Sequence, residues 1–84
     1  MANTMQLLTK ALELKRASRW SEELDIDVST IAQAKKRGHL SPAIAGAIAD
    51  KLGENVQQWI VIAAMESERD SPVKTHLLRR LTSL

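Results

Sequence analysis

Two Ser-Pro pairs, Ser41-Pro42 and Ser71-Pro72, and two glycines, Gly38 and Gly53, punctuate this chain so closely that no element between them can be long. A serine hydroxyl accepts hydrogen bonds from the free N–H groups of a first helical turn. Proline at the first helical position loses no internal bond, and its fixed φ suits the helix. Glycine ends helices because it enters the left-handed region without a steric penalty. A stop at Gly38, a start at Ser41-Pro42, a stop at Gly53 and a start at Ser71-Pro72 therefore read as a series of short helices. Gly46 falls inside one of them, where it costs roughly 1 kcal/mol relative to alanine, so a close helix–helix contact is expected there.

The segments between these signals carry helical periodicity. β-branched residues never alternate with polar ones over the length of a strand, and alanine and leucine dominate. A first helix is expected over about Thr4 to Ala17, with Leu7, Leu8, Ala11, Leu12 and Leu14 on one stripe. Ser18 can cap a short second helix that holds Trp20 and Leu24 four residues apart. Asp27 can cap a third, about Val28 to Arg37, ended by Gly38. Ile44, Ile48 and Leu52 follow the first Ser-Pro at steps of four. A fifth helix, about Val56 to Arg69, offers Val56, Trp59, Ile60 and Ala63 as its core stripe, and a sixth begins at the second Ser-Pro. The expected fold is all-α, five to six short helices in one domain over residues 1–84.

At 84 residues, a single small domain of modest stability is what the chain can build, and a partner subunit would help it. No cysteine is present, which removes disulfide scaffolds and thiolate zinc sites. His39 and His76 lie far apart and make a poor metal site. The longest apolar run, "WIVIAAM" (59–65), is far short of the roughly 20 residues of a membrane span. No charged-then-apolar leader opens the chain, so a soluble protein of a bacterial cytoplasm is expected. No nucleophile elbow, Gly-rich phosphate loop or His-x-x-His spacing is present, which argues against an enzyme. Neither a cofactor nor a small-molecule ligand is expected.

The net charge is +2, and its distribution says more than its size. Residues 27–40 carry Lys35, Lys36 and Arg37 against Asp27, and residues 71–84 carry Lys74, Arg79 and Arg80 without an acid. Residues 41–70 hold two cations and five acids. Segregated positive charge is the electrostatic footprint of a small nucleic-acid binder. The plainer reading is a solvated helix end where cations favour the dipole.

Spacing sharpens the choice. Two short helices at 19–24 and 28–37, joined by a tight turn, would offer Trp20, Leu24, Ile26, Ile31 and Ala34 to a core. That is the arrangement a helix-turn-helix needs. The second helix then keeps Val28, Ser29, Ala32, Gln33 and Lys36 on a free face. Gln33 can bond bidentately to adenine, Ser29 can serve a base or a phosphate, and the Val28 and Ala32 methyls can meet a thymine methyl. Val28, Ser29, Thr30, Ala32, Gln33 and Lys36 are the candidate base readers. Arg19, Lys35, Arg37, His39 and Ser41 are the candidate phosphate contacts.

With those residues in view, "SRWSEELDIDVSTIAQAKKRGHLSPAIAGAIADKLG" (18–53) resembles the lambda-repressor/Cro-like helix-turn-helix family. "STIAQAKKRG" matches the recognition-helix segment and "SPAIAGAIADKLG" the helix after it. The continuation from Trp59 through "AAMESERDSP" is similar to small repressor-like proteins of prophages and filamentous bacteriophages. The resemblance implies transcription regulation: a Cro-like repressor that binds double-stranded DNA as a homodimer at a palindromic operator. The chain departs from the family at Asp25, where the family usually has glycine. It departs again at Asp27, whose charge opposes a phosphate at the start of the recognition helix.

Trp20 and Trp59 sit on apolar stripes and are read as core, not as base-stacking platforms. Residues 55–84 hold more apolar surface than one small core needs. Ile62, Met65, Leu77, Leu78 and Leu81 are therefore the candidate dimer interface, with Leu84 adding to the tail. The rival function is a protein-interaction module, antitoxin- or antirepressor-like, which the acids Glu22 and Glu23 near the presumed DNA face would suit.

Overall fold

The computed structural model describes residues 2–82, with side chains through residue 80. Among them are six helices and no strand: α1 (Thr4–Leu14), α2 (Ala17–Leu24), α3 (Val28–Arg37), α4 (Pro42–Leu52), α5 (Val56–Ser67) and α6 (Pro72–Thr82). The fold is all-α, as the punctuation predicts.

Most helix ends follow from single residues. Asn3 and Gln6 form a reciprocal capping box on α1. Asp27 accepts the Ser29 N–H at 2.9 Å and opens α3. Ser41 accepts the Ile44 N–H with Pro42 in the first turn of α4, and Ser71 accepts the Lys74 N–H at 3.1 Å. Gly38 and Gly53 end α3 and α4 in the left-handed region, at φ 86° and 73°. Asp25, where the family pattern has glycine, does the same for α2 at φ 55°. There the Ile26 N–H reaches the Ser21 carbonyl and the Asp25 N–H the Glu22 carbonyl, so the orphan carbonyls of α2 are satisfied without glycine.

The first connection differs from the periodicity. Helix α1 stops at Leu14, Lys15 is extended (φ −146°, ψ 147°), and α2 begins at Ala17 behind Arg16. Ser18 thus lies inside α2 and caps nothing; its carbonyl accepts the Ser21 hydroxyl. The cause is Trp20. Its indole is 1 % exposed and donates to the Ala11 carbonyl at 2.8 Å, which requires α2 to fold back on α1. The Lys15 ammonium lies 4.4 Å over the same ring and pairs with Glu23. Leu14, the last residue of α1 before the break, is 65 % exposed instead of buried.

The core gathers Leu7, Leu8 and Ala11 of α1, Trp20 of α2, Ile31 and Ala34 of α3, Leu40, and Ala45, Ile48 and Ala49 of α4, with Ala63 of α5. Leu24, Ile26, Ile44, Leu52 and Trp59 are partly buried against it. Gly46 makes the expected close approach: a Cβ there would meet Ile60 Cγ1 at 2.8 Å and Cδ1 at 3.0 Å. The buried stripe of α5 is displaced from the expected one. Ile60 stays 38 % exposed while it leans over Gly46, and Ile62 turns inward at 5 % exposure. Ala63 is buried as expected; the exchange of Ile60 for Ile62 depends on how α5 sits on α4, which periodicity alone leaves open. Among the described residues no helix is long and apolar enough to cross a membrane.

Candidate nucleic-acid interface

Helix α3 is positioned from both sides. Asp27 caps its start, and Ile31 and Ala34, each 1 % exposed, anchor one face in the core. The α2–α3 link is three residues, Asp25 to Asp27, with Ile26 half-buried beneath it. What remains of α3 faces outward. Ser29, Ala32, Gln33 and Lys36 are exposed and Val28 is 50 % exposed, so five of the six candidate base readers share one open surface. Thr30 is half-buried and lies at its margin. Ser29 is also the partner of Asp27, which ties the start of the helix to this face.

The candidate phosphate contacts divide. Lys35 and Arg37 are exposed in the last turn of α3 together with Lys36, and none of the three forms an ion pair among the described residues. Their charge favours the negative end of the helix and is not neutralised by an ion pair among the described residues. Arg19 is exposed on α2. His39 and Ser41 are half-buried; Ser41 spends its hydroxyl oxygen on the α4 cap, and the His39 Nδ1 is buried without a hydrogen-bond partner among the described residues. Neither is as open as the sequence reading supposes.

The acids beside this surface are partly occupied. Glu23 is held below the ordinary carboxylate range, first by its hydrogen bond with Lys15 and also by the charges of Lys15, Arg19 and Lys51. Asp27 is held down by the Ser29 backbone N–H and then its hydroxyl. Glu22 and Asp25 are exposed. Glu23 and Asp27 therefore both stay ionised at neutral pH: Lys15 offsets Glu23, whereas Asp27 keeps its negative charge at the start of α3.

The expected dimer surface is only partly outside. Ile62 is buried within the chain and offers nothing to a second copy. Met65 and Leu78 are half-buried, Leu77 is 44 % exposed, and the Leu81 side chain and Leu84 lie outside the described residues. Sequence reasoning missed Val61 and Val73, 41 % and 70 % exposed, which with Ile60 on α5 and Leu77 on α6 are outward apolar side chains of these helices. Helix-wheel position carries a signal for Val61, once the buried stripe of α5 is known to run through Ile62 and Ala63. His76 is exposed, and the described residues contain no group of three or more side chains suited to a metal ion. No family model matches the chain, and no match emerges among curated proteins or solved structures, so the surface of α3 is interpreted from its own residues.

Proposed function

We propose that the chain is a sequence-specific DNA-binding transcriptional regulator, a Cro-like repressor of a phage or prophage switch. In this reading α2 and α3 act as a helix-turn-helix and α3 enters the major groove. Gln33 is the principal base reader, with the Val28 and Ala32 methyls and the Ser29 hydroxyl beside it. Lys35, Lys36 and Arg37 run along the phosphates and supply most of the affinity. Two copies joined through α5 and α6 would set two such helices about 34 Å apart, one turn of DNA, and so read a palindrome.

The observation that carries the reading is the division of α3: two side chains locked in the core, an open face of short and polar residues, and three unpaired cations at its exit. The exposed acids Glu22 and Asp25 favour the rival, a module that binds a protein partner with the same helices.

A gel-shift titration against the intergenic DNA upstream of the chain's own gene, repeated over a salt series, separates the two. A retarded complex that weakens steeply with salt is expected. Lys36→Ala should weaken binding to every sequence and reduce the salt slope by about 1, whereas Gln33→Ala should cost about 1–3 kcal/mol of discrimination and leave non-specific binding unchanged. Wild-type binding by both variants would show that α3 is not the reading helix, and no shift at low salt would favour the protein-partner module.

A further inference from the structure

Three segments remote in sequence meet at one threonine. Thr4, in the first turn of α1, is fully buried. Its hydroxyl donates to Glu66 Oε1 at 2.5 Å and its backbone N–H donates to Glu66 Oε2 at 2.7 Å. The same hydroxyl oxygen accepts the Leu40 N–H at 2.9 Å. Leu40 is itself fully buried, two residues beyond the glycine that ends α3. Glu66 belongs to the last turn of α5 and lines one cleft together with Gly38, His39 and Lys74.

Each link has a physical reason. A buried N–H without an acceptor is costly, and Leu40 has left the helical ladder, so the Thr4 oxygen satisfies a donor that would otherwise be orphaned. Hydroxyl groups donate and accept at once, which lets Thr4 pass the bond on to the carboxylate. A carboxylate accepting two N–H or O–H bonds at the positive end of α1 is charge-assisted and directional. The resulting chain from Leu40 to Thr4 to Glu66 holds the exit of α3 against both α1 and α5.

We propose that Thr4 and Glu66 are positioning residues for the basic end of α3: their relay sets the pose of residues 35–40 relative to α5. This inference rests on the DNA-binding reading only for its consequence, since the pose itself is measurable without DNA. Through the relay, a change in how α5 is held is transmitted to the turn that carries Lys35, Lys36 and Arg37, which lies three residues before Leu40.

The test uses the full chain and three variants, Thr4→Val, Glu66→Gln and Thr4→Ser. Valine keeps the shape and removes the hydroxyl; serine keeps the hydroxyl. In Thr4→Val the Leu40 amide should exchange at least about tenfold faster, and the amide resonances of residues 35–40 should shift, while Thr4→Ser stays near wild type. On DNA, Thr4→Val should lose about tenfold in affinity and also show a flatter salt slope, because fewer cations reach phosphates together. A role in stability alone would lower the active fraction without changing the slope. If Thr4→Val does not fold, Glu66→Gln tests the other link: its amide nitrogen replaces one accepting oxygen and cannot accept, so one Thr4 bond is lost and the resonances of residues 35–40 and the salt slope should change, and unchanged ones overturn the relay. Unchanged Leu40 exchange in the folded variant overturns the relay. Faster exchange with an unchanged DNA affinity and slope overturns its positioning role. If wild type itself binds no DNA, the reading of α3 falls, and the exchange data still judge the relay.

Discussion

Helices α3 and α5 are near neighbours in length and opposites in what they show to solvent. Helix α3 buries Ile31 and Ala34 and presents serine, glutamine and three cations. Helix α5 buries Ile62 and Ala63 and still presents Ile60 and Val61, and α6 presents Val73 and Leu77. A polar exposed face is stable in water by itself and is free to meet a polar, charged ligand. An apolar exposed face is a standing cost that association removes. The two surfaces are thus chemically unlike, and under the proposed function they would meet different partners: a polyanion at α3 and a second apolar surface at α5 and α6.

The comparison breaks first if the shared core fails, and the largest effect should come from Trp20→Ala. It removes the largest fully buried side chain and the bond from its indole to Ala11, so about 3–5 kcal/mol of stability should be lost in urea denaturation. Both ends should loosen together, since α2 carries the approach to α3. A loss under about 1 kcal/mol would mean that the α1–α2 bend is held by something else.

The next effect separates the ends. Val61→Asp with Leu77→Asp should leave helicity unchanged and raise the dimer dissociation constant by more than about tenfold in sedimentation equilibrium. A wild-type chain that sediments only as a 9.3 kDa species at micromolar concentration removes the dimer.

A smaller effect is expected with pH. Glu23, Asp27 and Glu54 are each held below their ordinary values, by Lys15, by the Ser29 N–H and by Lys10 respectively. A carboxyl made more acidic by folding stabilises the native state above its unfolded pKa, and that contribution fades as pH falls through the lower folded value. The melting temperature should be level down to about pH 5 and fall below about 4.5. Asp27→Ala should lower it at neutral pH and shallow the acid limb. Superimposable melts across that range would show that the α3 cap contributes nothing.

Where a boundary depends on a residue and its immediate neighbours, reading along the chain finds it. Asp27, Gly38, Ser41-Pro42 and Gly53 place α3 and α4 to the residue, and the left-handed Asp25 follows from the tolerance of aspartate for positive φ. The open face of α3 is legible for the same reason, because Ile31 and Ala34 are its only pair of well-spaced core residues. The break between α1 and α2 is legible only to within a few residues: the sequence places it at Ala17–Ser18, the structure at Lys15–Arg16, since no breaker lies there and a tryptophan reaching back nine positions holds the bend. The same limit misassigned Leu14 and Ile62, whose fates depend on which neighbour they face.

Local chemistry, then, dictates that this chain forms short helices, where most of them begin and end, and which side of α3 is polar. These outcomes need only caps, glycine torsions and a 3.6-residue period, all interactions over a few residues. Packing alone decides that α1 stops at Leu14, that Ile62 goes in while Val61 stays out, and that Thr4, Leu40 and Glu66 join across 62 positions of sequence. Those outcomes turn on shape complementarity between distant segments, and no periodicity within a single segment encodes it.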